Sequence, residues 1–128
     1  MKYARFVVLA LLAVSFAVAE MPEGNAAVNW KKAEQNYIVG LKSDNSGVQA
    51  SSASYIRKYN LTGAIDELKA LLEKNNADNV KMSAALALVR IGGEDGRKAV
   101  DEALQKEENE IIAEFYRTIL NSRDTAQK

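Results

Sequence analysis

"ADNVKMSAALALVRIGG", residues 77–93, decides how the rest of the chain folds. It opens near Asp78, a residue type that accepts from the free N–H groups of a helix start. It closes on Gly92-Gly93, which supply the backbone freedom that a helix end demands. From Val80 to Ile91 only Lys81, Ser83 and Arg90 interrupt an apolar circumference. A surface helix keeps one wet face. This one has almost none, so it needs neighbours on several sides.

Repetition supplies them. The spacing of apolar residues predicts six helices, at about 26–41, 48–59, 63–74, 78–91, 96–106 and 110–120, with Thr62, Asp78 and Asp95 as start signals. "AIDELKALL" from Ala64 matches "AVDEALQKE" from Ala99 and, more loosely, "AEQNYIVGL" from Ala33. In the alternate helices Val48, Ala53, Ile56 and Tyr59 recur as Val80, Ala85, Leu88 and Ile91, and again as Ile111, Tyr116, Ile119 and Ser122. The offsets are 32 and then 31 residues. Helical pairs at such a period imply an all-α, right-handed α-solenoid of about three antiparallel hairpins. Its repeats fall at about 26–60, 61–93 and 94–120, between a polar lead at 20–25 and a polar tail at 121–128.

Period alone leaves several repeat families open; the residues narrow them. There is no histidine, which an ankyrin start requires, and the only proline is Pro22. The Gly-x-x-Tyr and closing proline of a tetratricopeptide repeat are missing too. With Asp78 in the turn, Val80, Lys81, the Ala84-Ala85 pair, Leu88 and Ile91-Gly92, the stretch resembles the second helix of a short HEAT repeat, of the kind also found in phycobilisome-lyase-like proteins. "SDNSGVQASSASYIRKYN" is a weaker copy, with Gln49 where the family usually carries arginine, and "EENEIIAEFYRTIL" departs further. The resemblance covers about 33–120 and implies a stack of helix pairs used for macromolecular binding. Lyase activity is not carried over, because only the repeat is shared.

The first residues stand apart from this fold. Lys2 and Arg5, an apolar run from Phe6 to Val14, and Ala17-Val18-Ala19 follow the order of a signal peptide, with cleavage expected after Ala19. A spanning helix needs about 20 apolar residues, more than this run offers, so no membrane insertion is expected after cleavage. Export to a bacterial periplasm or the exterior is the expected localisation. Loss of Lys2 and Arg5 leaves two fewer basic than acidic side chains, out of 17 of each in the full chain. That balance argues against nucleic acid as a partner.

Catalysis is hard to stage. Without histidine or cysteine the commonest general base, the thiol nucleophile and most zinc sites are missing. Asp66-Glu67 and Asp101-Glu102 recur at one place in successive repeats, in early helical turns where negative charge suits the dipole. The expectation is therefore a non-enzyme with no metal or cofactor.

What packing does not obviously need is a second stripe. On a wheel of about 100° per residue, Met82, Leu86 and Val89 lie opposite the packing stripe of Val80, Ala84, Leu88 and Ile91. Arg90 lies beside them, with Lys58 at its place in the first copy. In a HEAT-type stack the second helices line the concave side. The candidate protein-binding residues are therefore Ser54, Arg57, Lys58, Met82, Leu86, Arg90 and Arg117, and they suit a peptide with apolar and acidic residues. The expected function is a protein-binding adaptor. The alternative is a structural module that docks end-on with itself or caps a larger envelope assembly through Trp30, Tyr37, Phe115 and Tyr116.

Overall fold

The computed structural model describes residues 27–73 and 75–122. The expected signal peptide, the polar lead and most of the polar tail lie outside the described residues. Six helices follow one another: α1 Trp30–Leu41, α2 Ser46–Lys58, α3 Ile65–Ala70 entered through a 3-10 turn at Thr62–Ala64, α4 Asp78–Ile91, α5 Gly93–Lys106 and α6 Glu110–Asn121. No strand occurs among the described residues.

Three of the helix starts are asparagine caps. Asn29 Oδ1 accepts from Lys32 N at 3.1 Å, Asn45 Oδ1 from Val48 N at 3.1 Å, and Asn109 Oδ1 from Ile111 N at 3.0 Å. The caps expected at Thr62, Asp78 and Asp95 are not made. Thr62 opens the 3-10 turn, and Asp78 is already the first residue of α4, after Ala77. Asp95 lies in the first turn of α5, and its carboxylate accepts from Lys69 instead. The cause is the glycine pair. Gly93 takes φ +57°, so the chain reverses in one step and α5 begins three residues earlier than the expected 96. Gly96 then lets α4 and α5 touch: a β-carbon there would lie 2.2 Å from the Leu88 carbonyl oxygen. α2 stops by another route. Asn60 takes φ +53°, Leu61 N donates to Ile56 O at 3.0 Å, and Asn60 N donates to Arg57 O at 3.3 Å.

α4 is the centre of the stack. It packs against α2, α3, α5 and α6 and buries Val80, Lys81, Ala84, Ala85, Ala87 and Leu88. With Ile56, Leu68, Val100, Ile112 and Tyr116 the apolar ones among them form one continuous core. Neighbours on most sides explain why this helix has so little polar surface; its outer ridge of Met82, Leu86 and Val89 is half-buried, and Asp78, Asn79 and Arg90 are exposed.

Burial corrects the register of the third copy. Ile111 is 76% exposed whereas Ile112 is 1% exposed. Ile112, Tyr116 and Ile119 therefore occupy the places of Val80, Ala84 and Ala87, and the second offset is 32 residues, equal to the first. Two adjacent isoleucines offer the sequence two registers one residue apart; packing selects the second.

Candidate protein-binding face

With one register for all three second helices, each position can be followed through the stack. Val80 and Ala87 are buried in α4, as are Ile112 and Ile119 in α6, but their counterparts Val48 and Tyr55 in α2 are 45% and 44% exposed. Among the described residues only α2 lacks a preceding hairpin, so these positions mark the side that faces backward along the stack. Ala53 and Ala85 are fully buried in α2 and α4, whereas their counterpart in α6 is the exposed Arg117. Among the described residues only α6 lacks a following hairpin, so this position faces forward. The outer ridge lies between the two.

On that ridge, Ser54, Arg57 and Lys58 of α2 and Arg90 of α4 come together with Tyr55 around an open cleft of about 460 Å³. Arg57 points forward from α2 and Arg90 backward from α4, and the groove between the helices is where they meet. Arg57, Lys58 and Arg90 make no ion pair with a carboxylate among the described residues. Three uncompensated cations and two hydroxyls give the cleft donors in excess of acceptors. A second groove of similar volume, between α3 and α5, carries Lys69 and Lys106 but also Glu73, Glu102 and Glu107. Of these two grooves, only the cleft between α2 and α4 is one-signed.

Four of the seven sequence candidates thus share one site. Met82 and Leu86 lie on the same outer ridge, half-buried against the core. Arg117 does not join them. At the corrected register it corresponds to Ala85 rather than Leu86, which turns it by about 100° onto the forward end of the stack. There its guanidinium donates to Glu110 and Glu114, both at 3.0 Å. These two bonds, Glu110 first, hold its pKa above the ordinary arginine value. Of the residues expected at exposed terminal hairpins, Tyr116 is fully buried; it takes the place of Ala84, which faces the first helix of its own pair.

Two features escaped sequence reasoning. The first is an aromatic ladder on the backward end. Trp30 meets Tyr59 at 4.9 Å between ring centroids, Tyr59 lies nearly parallel to Tyr55 at 6.3 Å, and Tyr55 stacks on Tyr37 at 5.4 Å. Lys58 Nζ sits 5.3 Å from the Tyr59 centroid, close enough for a cation–π contact. The signal was present in the spacing of Tyr55 and Tyr59 and of Trp30 and Tyr37, which places each pair on one helix face, but the same spacing describes a core stripe.

The second is a buried ion pair. Lys81 Nζ lies 2.8 Å from Glu107 Oε2, with the two side chains 5% and 10% exposed. It ties α4 to the turn before α6. The counterpart of Lys81 in α2, Gln49, donates from Nε2 to the Leu41 carbonyl at 3.0 Å, so this position stitches a polar link in both copies. Tyr116 Oη is buried nearby without a hydrogen-bond partner. Burial first, then the carboxylates of Glu107 and Asp78, push its pKa well above the ordinary tyrosine value.

The described residues contain no group of three or more potential metal ligands and no helix long and apolar enough to cross a membrane. No curated protein and no solved structure matches the chain significantly. A family model described as HEAT repeats does match, over residues 36–116. That span runs from the middle of α1 to the first half of α6 and takes in all three hairpins, so the chain belongs to the HEAT-repeat family.

Proposed function

We propose that this chain is a non-catalytic adaptor that binds another protein through the outer face of its second helices, the concave side of a right-handed solenoid. HEAT repeats generally mediate protein interactions, and one observation carries the location here: Arg57, Lys58 and Arg90 converge on a cleft without carboxylate partners. Exposed cations left unpaired by their own fold attract acidic groups over roughly a Debye length, and arginine is enriched at protein interfaces. The partner segment carries acidic residues for the cleft and apolar ones for Met82 and Leu86; no nucleic acid, membrane or cofactor is required. The order of residues 1–19 supports export to a periplasm or the exterior, with the partner in that compartment.

The test is capture of partners from an extract of the chain's own compartment, compared between the native chain and the Arg57→Glu, Arg90→Glu double variant. The expected result is loss of the captured species, with unchanged helical content by circular dichroism. Retention of the same species by the folded variant removes the cleft from the interface. A second reading, a structural module that docks end-on with itself, is favoured by a separate observation: the backward end of the stack is apolar and exposed at Val48, Tyr55 and Trp30.

A further inference from the structure

The two ends of this stack differ in charge as well as in shape. Residues 27–60 carry five basic and two acidic side chains, residues 61–92 four of each, and residues 93–122 four basic and eight acidic. Charge therefore runs from positive to negative along the stack. The net-positive first hairpin is the one whose backward face exposes Val48, Tyr55, Tyr59 and Trp30. The negative end is the forward face of α6, where Arg117 is held between Glu110 and Glu114.

Resting on the end-on reading above, we propose that the occupant of the backward face is the forward face of a second copy, so that copies associate head to tail. Two lines carry this. The first is charge complementarity between whole hairpins, which favours the net-positive first hairpin meeting the net-negative third and disfavours two net-positive first hairpins meeting each other. The second is register. Within the chain, the position of Ala53 and Ala85 faces forward, and the positions of Val80 and Ala87 face backward onto it. Continuing the same stacking from one copy to the next brings Arg117 opposite Val48 and Tyr55 of the neighbour. A guanidinium fixed by two carboxylates then lies on a tyrosine ring, an arrangement that arginine favours, while Glu110 and Glu114 approach the net-positive first hairpin. The contact is heterologous, so it does not close with two copies and extends to longer assemblies as concentration rises.

Sedimentation equilibrium of the purified chain tests this, with two variants that each disable one end: Tyr55→Asp for the backward face, and Glu110→Lys with Glu114→Lys for the forward face. The native chain is expected to show a weight-average mass that climbs past that of a dimer with concentration and falls on adding salt. Each variant alone is expected to stay monomeric. An equimolar mixture is expected to form one-to-one dimers and nothing larger, because only one competent end of each kind remains; this also proves that both variants are folded. Association lost in Tyr55→Asp but kept in the Glu110→Lys, Glu114→Lys variant means that backward faces meet each other, which overturns the head-to-tail arrangement and leaves end-on self-docking standing. A native chain that is monomeric at every concentration, or whose association neither variant changes, overturns both.

Discussion

The first and third hairpins bound the described stack by opposite means. At the forward end, α6 places Arg117 where α2 and α4 have buried alanines, and surrounds it with Glu110 and Glu114. A position that would face a neighbour becomes charged and wet. At the backward end, α2 keeps the apolar residue types of an internal repeat, Val48 and Tyr55, and covers part of them with rings from Tyr37, Tyr59 and Trp30. Solenoids need polar terminal repeats for solubility. One end meets that need with an ion network; the other leaves an aromatic surface. The difference teaches that a terminal repeat is recognised by which side loses its apolar residues, and that here only one side has lost them.

The comparison breaks most visibly if the forward cap is moved inward. Ala85→Arg transfers the residue of α6 to the same position of α4, where the site is fully buried between hairpins. An unpaired guanidinium and its added volume are expected to cost more than about 4–5 kcal/mol, enough to abolish cooperative thermal unfolding of a domain this small when followed by circular dichroism. Arg117→Ala, the reverse exchange, is expected to leave the unfolding midpoint almost unchanged. A chain that tolerates Ala85→Arg would show that this position does not face a neighbouring repeat.

A smaller effect sharpens how one position serves two copies. Lys81 links the second hairpin to the third through an ion pair with Glu107, whereas the corresponding Gln49 makes a neutral bond within the first hairpin, to the Leu41 carbonyl. Glu107→Gln leaves an ammonium buried against α4 and is expected to cost about 3–5 kcal/mol in urea unfolding. The double variant Lys81→Met, Glu107→Leu is expected to recover most of that loss, because replacing a buried pair by apolar residues is often neutral. Equal destabilisation by the single and double variants would mean that the turn at Glu107 is held by something other than this pair.

How much of this was legible beforehand depends on whether the deciding contact lies within one helix. The all-helical repeat was legible because the 77–93 stretch carries a glycine stop signal and an apolar circumference that only stacking explains. Ser54, Arg57, Lys58 and Arg90 were legible as a group because one wheel, turned in register from α2 to α4, puts them on one ridge. Arg117 was misplaced because Ile111 and Ile112 are interchangeable in a pattern of residue types, and one residue of slip rotates every later position by about 100°. The burial of Lys81 was illegible for a different reason: its partner lies in a turn 26 residues away, and nothing local to a lysine says that a carboxylate waits there. The aromatic ladder fell between these cases. Its rungs were visible at helical spacing, but whether such a stripe is covered depends on a preceding repeat, not on the stripe.

The mildest change tests the buried side of the third hairpin against the exposed side of the first. Tyr116 takes the place of Ala84 with its ring fully buried and its hydroxyl unsatisfied, so Tyr116→Phe removes a polar atom that gains nothing from the fold. At neutral pH the expected effect on stability is within about 1 kcal/mol and in the stabilising direction, since a buried hydroxyl without a partner carries a desolvation cost. Alkali separates the two chains further. The folded state holds the Tyr116 proton more tightly than the unfolded chain does, so below about pH 10 both states are protonated and stability does not depend on this group. Above it, the unfolded chain releases the proton while the folded one retains it, so fewer protons are bound on unfolding and stability falls as pH rises. The native chain is expected to lose about 1.4 kcal/mol per pH unit relative to Tyr116→Phe above that point. Urea midpoints of both chains at pH 7, 10 and 11 read the difference directly. Parallel pH profiles would place the Tyr116 hydroxyl in contact with water and its helix one notch out of the register assigned here.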